Sequence, residues 1–284
     1  MRTRFAPAPT GYLHLGHVLN AEYVWGAARL LGAGILLRIE DHDRERSRAE
    51  FETAILDDLD WLGFAPDILP TSAFRAGRCD GRQSDRGAVY ATAAARLQAQ
   101  GLLFGCGCTR TELETAPRSS SGEVIHTGHC RELRREAVPG LGWRVQMDEG
   151  VERFDDLRLG PQRQEPSTQC GDLLIRDRLG NWTYHFAVTV DDWLQEIDLV
   201  IRGIDLLEST GRQIRLARLL GRQTPPWFLH HGLVMKSDTQ KLSKSDRDTG
   251  VRDLRASGWT RAQVLNAAIA GAVWDSHRDS LRLP

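Results

Sequence analysis

The sequence predicts an α/β fold built around a parallel sheet. Amphipathic helical segments alternate with short, wholly apolar runs along the chain. Gly- and Pro-rich turns bound those runs, and 284 residues is enough for one large domain or two smaller ones.

The first stretch, "RFAPAPTGYLHLGH", is a turn that runs into a helix. Leu15, Val18, Leu19, Tyr23, Ala27 and Leu30 recur at helical spacing, and Gly32 to Gly34 stop the pattern. "ILLRIED" reads as a buried strand ending in acids. "RAEFETAILDDLDWLGF" and "GAVYATAAARLQAQGLLF" are the second and third amphipathic helices, the latter ending at Gly101. Residues 105–140 are rich in Gly, Ser, Thr, Cys and His with little periodicity, an irregular module that needs something other than an apolar core to hold it. "RVQMDEGVERFDDLRLG" predicts short strands with turns. "GDLLIRDRLGNWTYHFAVTVDDWL" alternates and turns at Leu179-Gly180-Asn181, predicting a hairpin that leads into a buried strand. "DLVIRGIDLL" is a further strand, followed by the helix "ESTGRQIRLARLLG" and a helical C-terminus.

The hydrophobic fraction of 41% and charged fraction of 26% are those of a soluble globular protein. A net charge of -1 gives no global pull toward nucleic acid or membrane, although a local basic face would suffice for RNA. "MRTRFAPAPTG" has no apolar h-region, and no run of about 18 apolar residues exists, so a cytoplasmic protein without membrane contact is expected.

Two local features point to chemistry. His14 and His17 share one face of the first helical turn with Gly16 between them, where helix-terminal N–H groups favour phosphate. Two imidazoles there can donate to phosphate oxygens as charge develops, and Gly16 permits close approach of a flat ligand. Of the 37 basic residues only Lys236, Lys241 and Lys244 are lysines, and all fall in "HGLVMKSDTQKLSKS". A lysine kept in an arginine-rich chain points to a need for a compact, mobile point charge.

The five cysteines are an odd number, and three of them cluster within 25 positions, which favours metal over disulfide. Cys106, Cys108 and Cys130 with His126 complete a tetrahedral zinc set, His129 being an alternative fourth ligand. Metal would stabilise that irregular segment directly. Cys79 and Cys170 are read as plain buried thiols.

"RFAPAPTGYLHLGH" resembles the HIGH signature of class I aminoacyl-tRNA synthetases in the glutamyl and glutaminyl subgroup, and "KLSKS" (241–245) resembles their KMSKS loop. "RIEDHDRERS", "RQSDRGAVY", "TYHFAVTVDD" and "VIRGIDLL" are similar to the subgroup's intermediate segments in the same order. The resemblance implies a Rossmann-type core: residues 1–100 and 179–250 as its two halves, 101–178 as an inserted acceptor-type subdomain with the zinc module, and 251–284 as a helical tail. It implies ATP-dependent activation of L-glutamate, Mg²⁺ accompanying ATP, and a monomer. His14, Gly16, His17 and Lys244 would meet ATP, with Lys241 in support. The amino-acid site would take in Arg4, Phe5, Ala6, Pro7, Ala8, Glu40, Tyr184 and Arg202. Arg4 would grip the side-chain carboxylate and Glu40 the α-ammonium; an ion pair with Asp205 is the competing reading for Arg202. Ala8 stands where the subgroup commonly has serine. Similar short relatives have tyrosine where "HTGHC" puts His126, and that favours His126 as the ligand. Only about 39 residues follow Ser245, an expectation against anticodon reading in the usual way. Together these features resemble glutamyl-queuosine tRNA(Asp) synthetases, which implies tRNA(Asp) carrying queuosine as the partner. Arg131, Arg134 and Arg135 are candidate RNA contacts.

Overall fold

The computed structural model describes residues 1–120, 122–237, 240–241 and 250–271, without the side chains of 235–237 and 240–241. β1 (Arg2–Phe5) passes through α1 (Leu15–Leu31) to β2 (Gly34–Leu37), followed by α2 (Ala49–Leu62), α3 (Thr71–Arg75) and α4 (Gly87–Ala99). Next come β3 (Leu103–Cys106), α5 (Arg110–Glu114), α6 (His129–Glu132), β4 (Gly142–Val145), β5 (Glu152–Asp156), β6 (Gly160–Gln164), α7 (Pro166–Cys170) and β7 (Leu173–Arg176). α8 (Tyr184–Leu194), β8 (Leu199–Gly203), α9 (Thr210–Leu220) and β9 (Trp227–His231) complete the core. β10 (Met235–Ser237), β11 (Gln240–Lys241), α10 (Val251–Ala256) and α11 (Arg261–Ala270) follow.

The main sheet has six strands in the order β2-β1-β8-β9-β5-β6. Its neighbours pair in parallel except β6, which runs antiparallel at one edge. Helices cover both faces, as a parallel sheet requires. On one face α1 and α2 bury Val18, Leu19, Val24, Ile55 and Leu59 against Phe5, Leu37 and Ile201, and α10 and α11 add Val251, Val264 and Ala268 to the same cluster. On the other, Ile214 of α9 meets Leu36, Phe154, Val200 and Phe228. β3, β4 and β7 form a separate antiparallel sheet that packs with α4, α8 and α9 through Leu97, Val145, Ile175, Phe186 and Leu216.

One element differs from the sequence expectation. The buried strand predicted after the Leu179-Gly180-Asn181 turn is instead the helix α8. The turn itself forms, with Arg176 bridging to Trp182 and Gly180 at φ 91°. Phe186 to Asp192 are all buried, so no polar stripe survives to show a 3.6-residue period, and Val188-Thr189-Val190 mimics a strand. The acids within it are paired: Asp191 accepts from Arg86 Nε at 2.7 Å, Gln83 Nε2 at 2.8 Å and the Tyr90 hydroxyl at 2.9 Å.

Candidate active site and metal centre

β1 leads through α1 to β2 on one side, whereas β8 leads through α9 to β9 on the other. The crevice between β1 and β8 is therefore the point where strand order reverses, the usual ligand site of an open α/β sheet. A cavity of about 570 Å³ opens there. It is walled by the residues that leave the carboxyl ends of β1, β2, β8 and β9 and by the start of α1. Arg4, Phe5, Ala6, Pro7, Ala8, His14, Gly16, His17, Glu40, Tyr184 and Arg202 all line it, so residues almost 200 positions apart meet in one space.

The charged groups at one end are buried and held. Arg4 donates from Nε to Asp192 Oδ1 at 3.1 Å and from Nη1 to the Ile201 carbonyl at 3.2 Å, which leaves Nη2 and one Nη1 hydrogen for a ligand. Asp192 also takes Arg38 Nη2 at 2.6 Å, and Arg38 Nη1 stands 3.5 Å from Glu40. Burial opposes Asp192's charge, yet Arg4 and Arg38 together hold its carboxyl below the ordinary value. Burial pushes the Glu40 carboxyl up, and Arg38 and Arg4 only partly oppose this. Arg202 donates to His230 Nε2 at 3.1 Å, Gln213 Oε1 at 2.7 Å and Thr210 Oγ1 at 2.8 Å, all neutral partners. None of these three partners is a carboxylate. Burial accordingly holds the Arg202 guanidinium below its usual pKa. Burial and the nearby Glu40 charge raise the Tyr184 hydroxyl, which stays a phenol.

His14 is the N-cap of α1, and two histidines make the capping box. His14 Nδ1 accepts from the Gly16 N–H and His17 Nδ1 from the His14 N–H, each at 3.1 Å. Both Nδ1 atoms are therefore acceptors, and a neutral ring must carry its proton on Nε2, the atom able to donate to a phosphate oxygen. A Cβ on Gly16 would lie 2.9 Å from the His14 ring, so glycine there first serves the cap. The KLSKS segment lies mostly outside the described residues. Lys244 is among those left out, and Lys241 is described only as the backbone partner of Met235 in the small β10–β11 hairpin.

The second centre lies in the 105–140 module. The ligand atoms of Cys106, Cys108, His126 and Cys130 all lie within 4.8 Å of one another. His126 Nε2 is 3.5 Å from Cys106 Sγ and 3.7 Å from Cys108 Sγ, and Cys108 and Cys130 are 3.3 Å apart. Zinc tetrahedra with ~2.3 Å sulfur and ~2.0 Å nitrogen bonds have edges of about 3.5–3.8 Å, so this donor set fits zinc. His126 joins it, whereas His129 is exposed and lies outside the cluster. Behind the ring, His126 Nδ1 meets Asp172 Oδ2 at 3.2 Å, a carboxylate placed as one that orients a metal-binding imidazole would be. Gly171 makes that approach possible: at φ 61°, its Cβ would fall 2.0 Å from the His126 carbonyl. Burial pushes both thiols up, but hydrogen bonds from His126 and the Cys108 backbone hold Cys106 down at about 5, while crowding by Cys130 and Cys106 leaves Cys108 at about 12. Cys79 and Cys170 are buried and are not among the four donors, although the Cys170 carbonyl accepts the His126 backbone N–H at 3.1 Å. Arg134 and Arg135 are exposed, whereas Arg131 leans 3.4 Å from Asp172.

Arg38, Asp191 and Asp192 belong to the segments "RIED" and "TVDD", yet no role for them follows from the resemblance, and no local pattern marks Asp172. His231 and Asn20 also line the cavity, His231 Nε2 standing 3.0 Å from Asn20 Oδ1. The dipeptide His230-His231 ahead of the lysine segment was the available signal for this wall.

Comparison with known proteins gives the chain's family. The family described as tRNA synthetases class I (E and Q), catalytic domain, matches residues 1–277. Glutamate–tRNA ligase 2 of Syntrophus aciditrophicus is 38% identical over 275 residues, 93% of this chain and 56% of that protein. The glutamyl-Q tRNA(Asp) synthetase of Cupriavidus metallidurans is 38% identical over 285 residues, 96% of this chain and 88% of that protein. The crystal structure of a glutamate tRNA ligase from Elizabethkingia meningosepticum, in complex with its amino acid, superposes with a TM-score of 0.71 at 28% identity, covering 91% of this chain and 53% of that one. The chain thus spans little more than half the length of the glutamate–tRNA ligases it matches. With the switch-point cavity, the two-histidine cap and this match over nearly its whole length, the chain belongs to the class I tRNA synthetases of the E and Q type, in their catalytic domain.

Proposed function

We propose that this protein activates glutamate with ATP and transfers it to the queuosine base in the anticodon loop of tRNA(Asp). One observation carries the amino-acid choice: Arg4, Arg202 and Glu40, all buried, face one cavity. Two cations and one anion complement an amino acid with two carboxylates and one ammonium. Arg4 takes the side-chain carboxylate, Glu40 the ammonium, and Tyr184 and Arg202 complete the wall. The α-carboxylate attacks the α-phosphate and pyrophosphate leaves. No protein nucleophile is needed, so the chain's task is positioning and charge stabilisation. The Nε2–H groups of His14 and His17 donate to the phosphates as charge builds, and Lys244, supported by Lys241, meets them from the loop. Mg²⁺ accompanies ATP and supplies charge neutralisation. Cys106, Cys108, His126 and Cys130 hold a structural zinc that orders the 105–140 module.

The acceptor rests on the relatives. Those named glutamyl-Q tRNA(Asp) synthetase are matched over 88% and 98% of their length, in Cupriavidus metallidurans and Rhodobacter capsulatus. The second reading, a glutamyl-tRNA synthetase that charges a 3′ end, draws on the 38% identity to a glutamate–tRNA ligase. The two separate in one assay. Radiolabelled glutamate is offered with ATP and tRNA(Asp), with and without queuosine. Labelling only of the queuosine form is expected; equal labelling of both forms means the 3′ end is charged.

A further inference from the structure

We propose that Asp156 and His230 are positioning residues, which aim the Arg202 guanidinium at the amino-acid end of the cavity through a buried Asp156–His230–Arg202 chain. The proposal deepens the glutamate reading and rests on it for the ligand, though not for the geometry.

Arg202 on β8 and His230 on β9 are register partners in adjacent parallel strands. His230 is wholly buried, and Arg202 and Asp156 nearly so. Arginine N–H groups can only donate, so the 3.1 Å contact from Arg202 Nε makes His230 Nε2 an acceptor. The neutral ring then carries its proton on Nδ1, which donates to Asp156 Oδ2 at 2.7 Å. The same oxygen accepts the His230 backbone N–H at 3.1 Å, and Asp156 Oδ1 accepts the backbone N–H groups of Arg158 and Leu159 at 3.0 and 2.9 Å. Four donors thus fix the carboxylate, which fixes the tautomer, which fixes the arginine. Phe228 adds a flat support, with its ring stacked on His230 at 6.0 Å and lying 5.7 Å from the guanidinium. Burial keeps His230 below its ordinary pKa although Asp156 opposes this, so the ring stays neutral at pH 7.

The arrangement differs from that of Arg4, which touches Asp192 directly. A carboxylate in place of His230 would hold Arg202 equally well but neutralise it. An apolar side chain would leave the charge intact and Nε unheld, with only the two Nη atoms fixed by Gln213 and Thr210. An imidazole between the two ions fixes the geometry and keeps the negative charge one ring away, so the positive charge remains for a substrate carboxylate.

The test compares His230→Leu, which removes the acceptor, with His230→Gln, whose amide oxygen can accept from Arg202 Nε. Glutamate-dependent ATP–pyrophosphate exchange should show KM for glutamate rising about tenfold or more in the leucine variant. KM for ATP should stay within about twofold. The glutamine variant should recover most of the loss. Equal behaviour of two folded variants, or a parallel rise in both KM values, would overturn the proposal. A nitrogen NMR experiment on the wild-type protein gives a second measurement that needs neither variant nor substrate. His230 should be neutral with its proton on Nδ1, and the opposite tautomer would overturn the relay even if glutamate is the substrate. Absence of glutamate-dependent exchange in the wild-type protein would reject the amino-acid reading, and the tautomer would still decide the relay.

Discussion

The amino-acid end of the cavity and the 105–140 module reach order by opposite means. At and behind the cavity wall, Arg4, Arg38, Glu40, Asp191 and Asp192 are charged groups buried beside a large apolar core. Each is fixed because leaving a buried charge unpaired is costly. The module has too little core for that device. Its own apolar cluster is Phe104, Cys106 and Cys130 with Cys108 packed against it, and three of those four are ligands of the cysteine–histidine set. A large core can impose geometry on charges; a small segment with four such donors could take its geometry from a metal. The two regions are joined at the helix that braces Arg202, since Arg212 of α9 pairs with Glu123 of the module next to Gln213.

Removing the metal tests the difference most severely. Metal analysis should find about one zinc per chain, and chelation should abolish amide-exchange protection across 105–140 while β1 and β8 stay protected. Loss of protection everywhere at once would show that the two regions fold as one unit. The next largest effect concerns a cation kept as lysine in an arginine-rich chain. Lys244→Arg keeps the charge but replaces a point by a fork, and exchange should fall about 100-fold; near-normal exchange would show that charge alone suffices there. In the cavity, Asp192→Asn removes the shared partner of Arg4 and Arg38, and should destabilise folding by about 3–5 kcal/mol in denaturant titration. A cost below about 1 kcal/mol would break the idea that the core imposes this geometry.

Glu40→Gln gives the smallest effect and the most discriminating sign. Its folded-state pKa is raised, so its contribution to stability is full below the ordinary carboxylate range and is lost as pH rises through the folded value. At pH 7 the ionised group is therefore a burden on folding. Glu40→Gln should raise the melting temperature at pH 7, leave it unchanged near pH 3, and still raise KM for glutamate about tenfold. A lowered melting temperature at pH 7 would make Glu40 a structural group like Asp192.

Much of this was legible in the chain. Helix α1 shows its period and its glycine stop, and the C-x-C with a later histidine and cysteine marks the donors that the fold brings within 4.8 Å of one another. Helix α8 was not legible, because a segment buried on every side loses the polar stripe that marks a helix. Asp172, Asp156 and His230 were not legible either. Their partners lie 46 positions away for Asp172 and His126, and 74 for Asp156 and His230, and no local pattern records such pairings.

The sequence alone determined the element types with strong periodicity, the three cysteines of a set that could hold a metal, and the residue kinds offered to a phosphate, since each shows in residue type and short spacing. Only the tertiary structure decided which charges compensate one another. It set Asp192 directly against Arg4 and left Arg202 with neutral partners. Those choices depend on strand order and burial, and both exist only once β1 and β8 lie side by side.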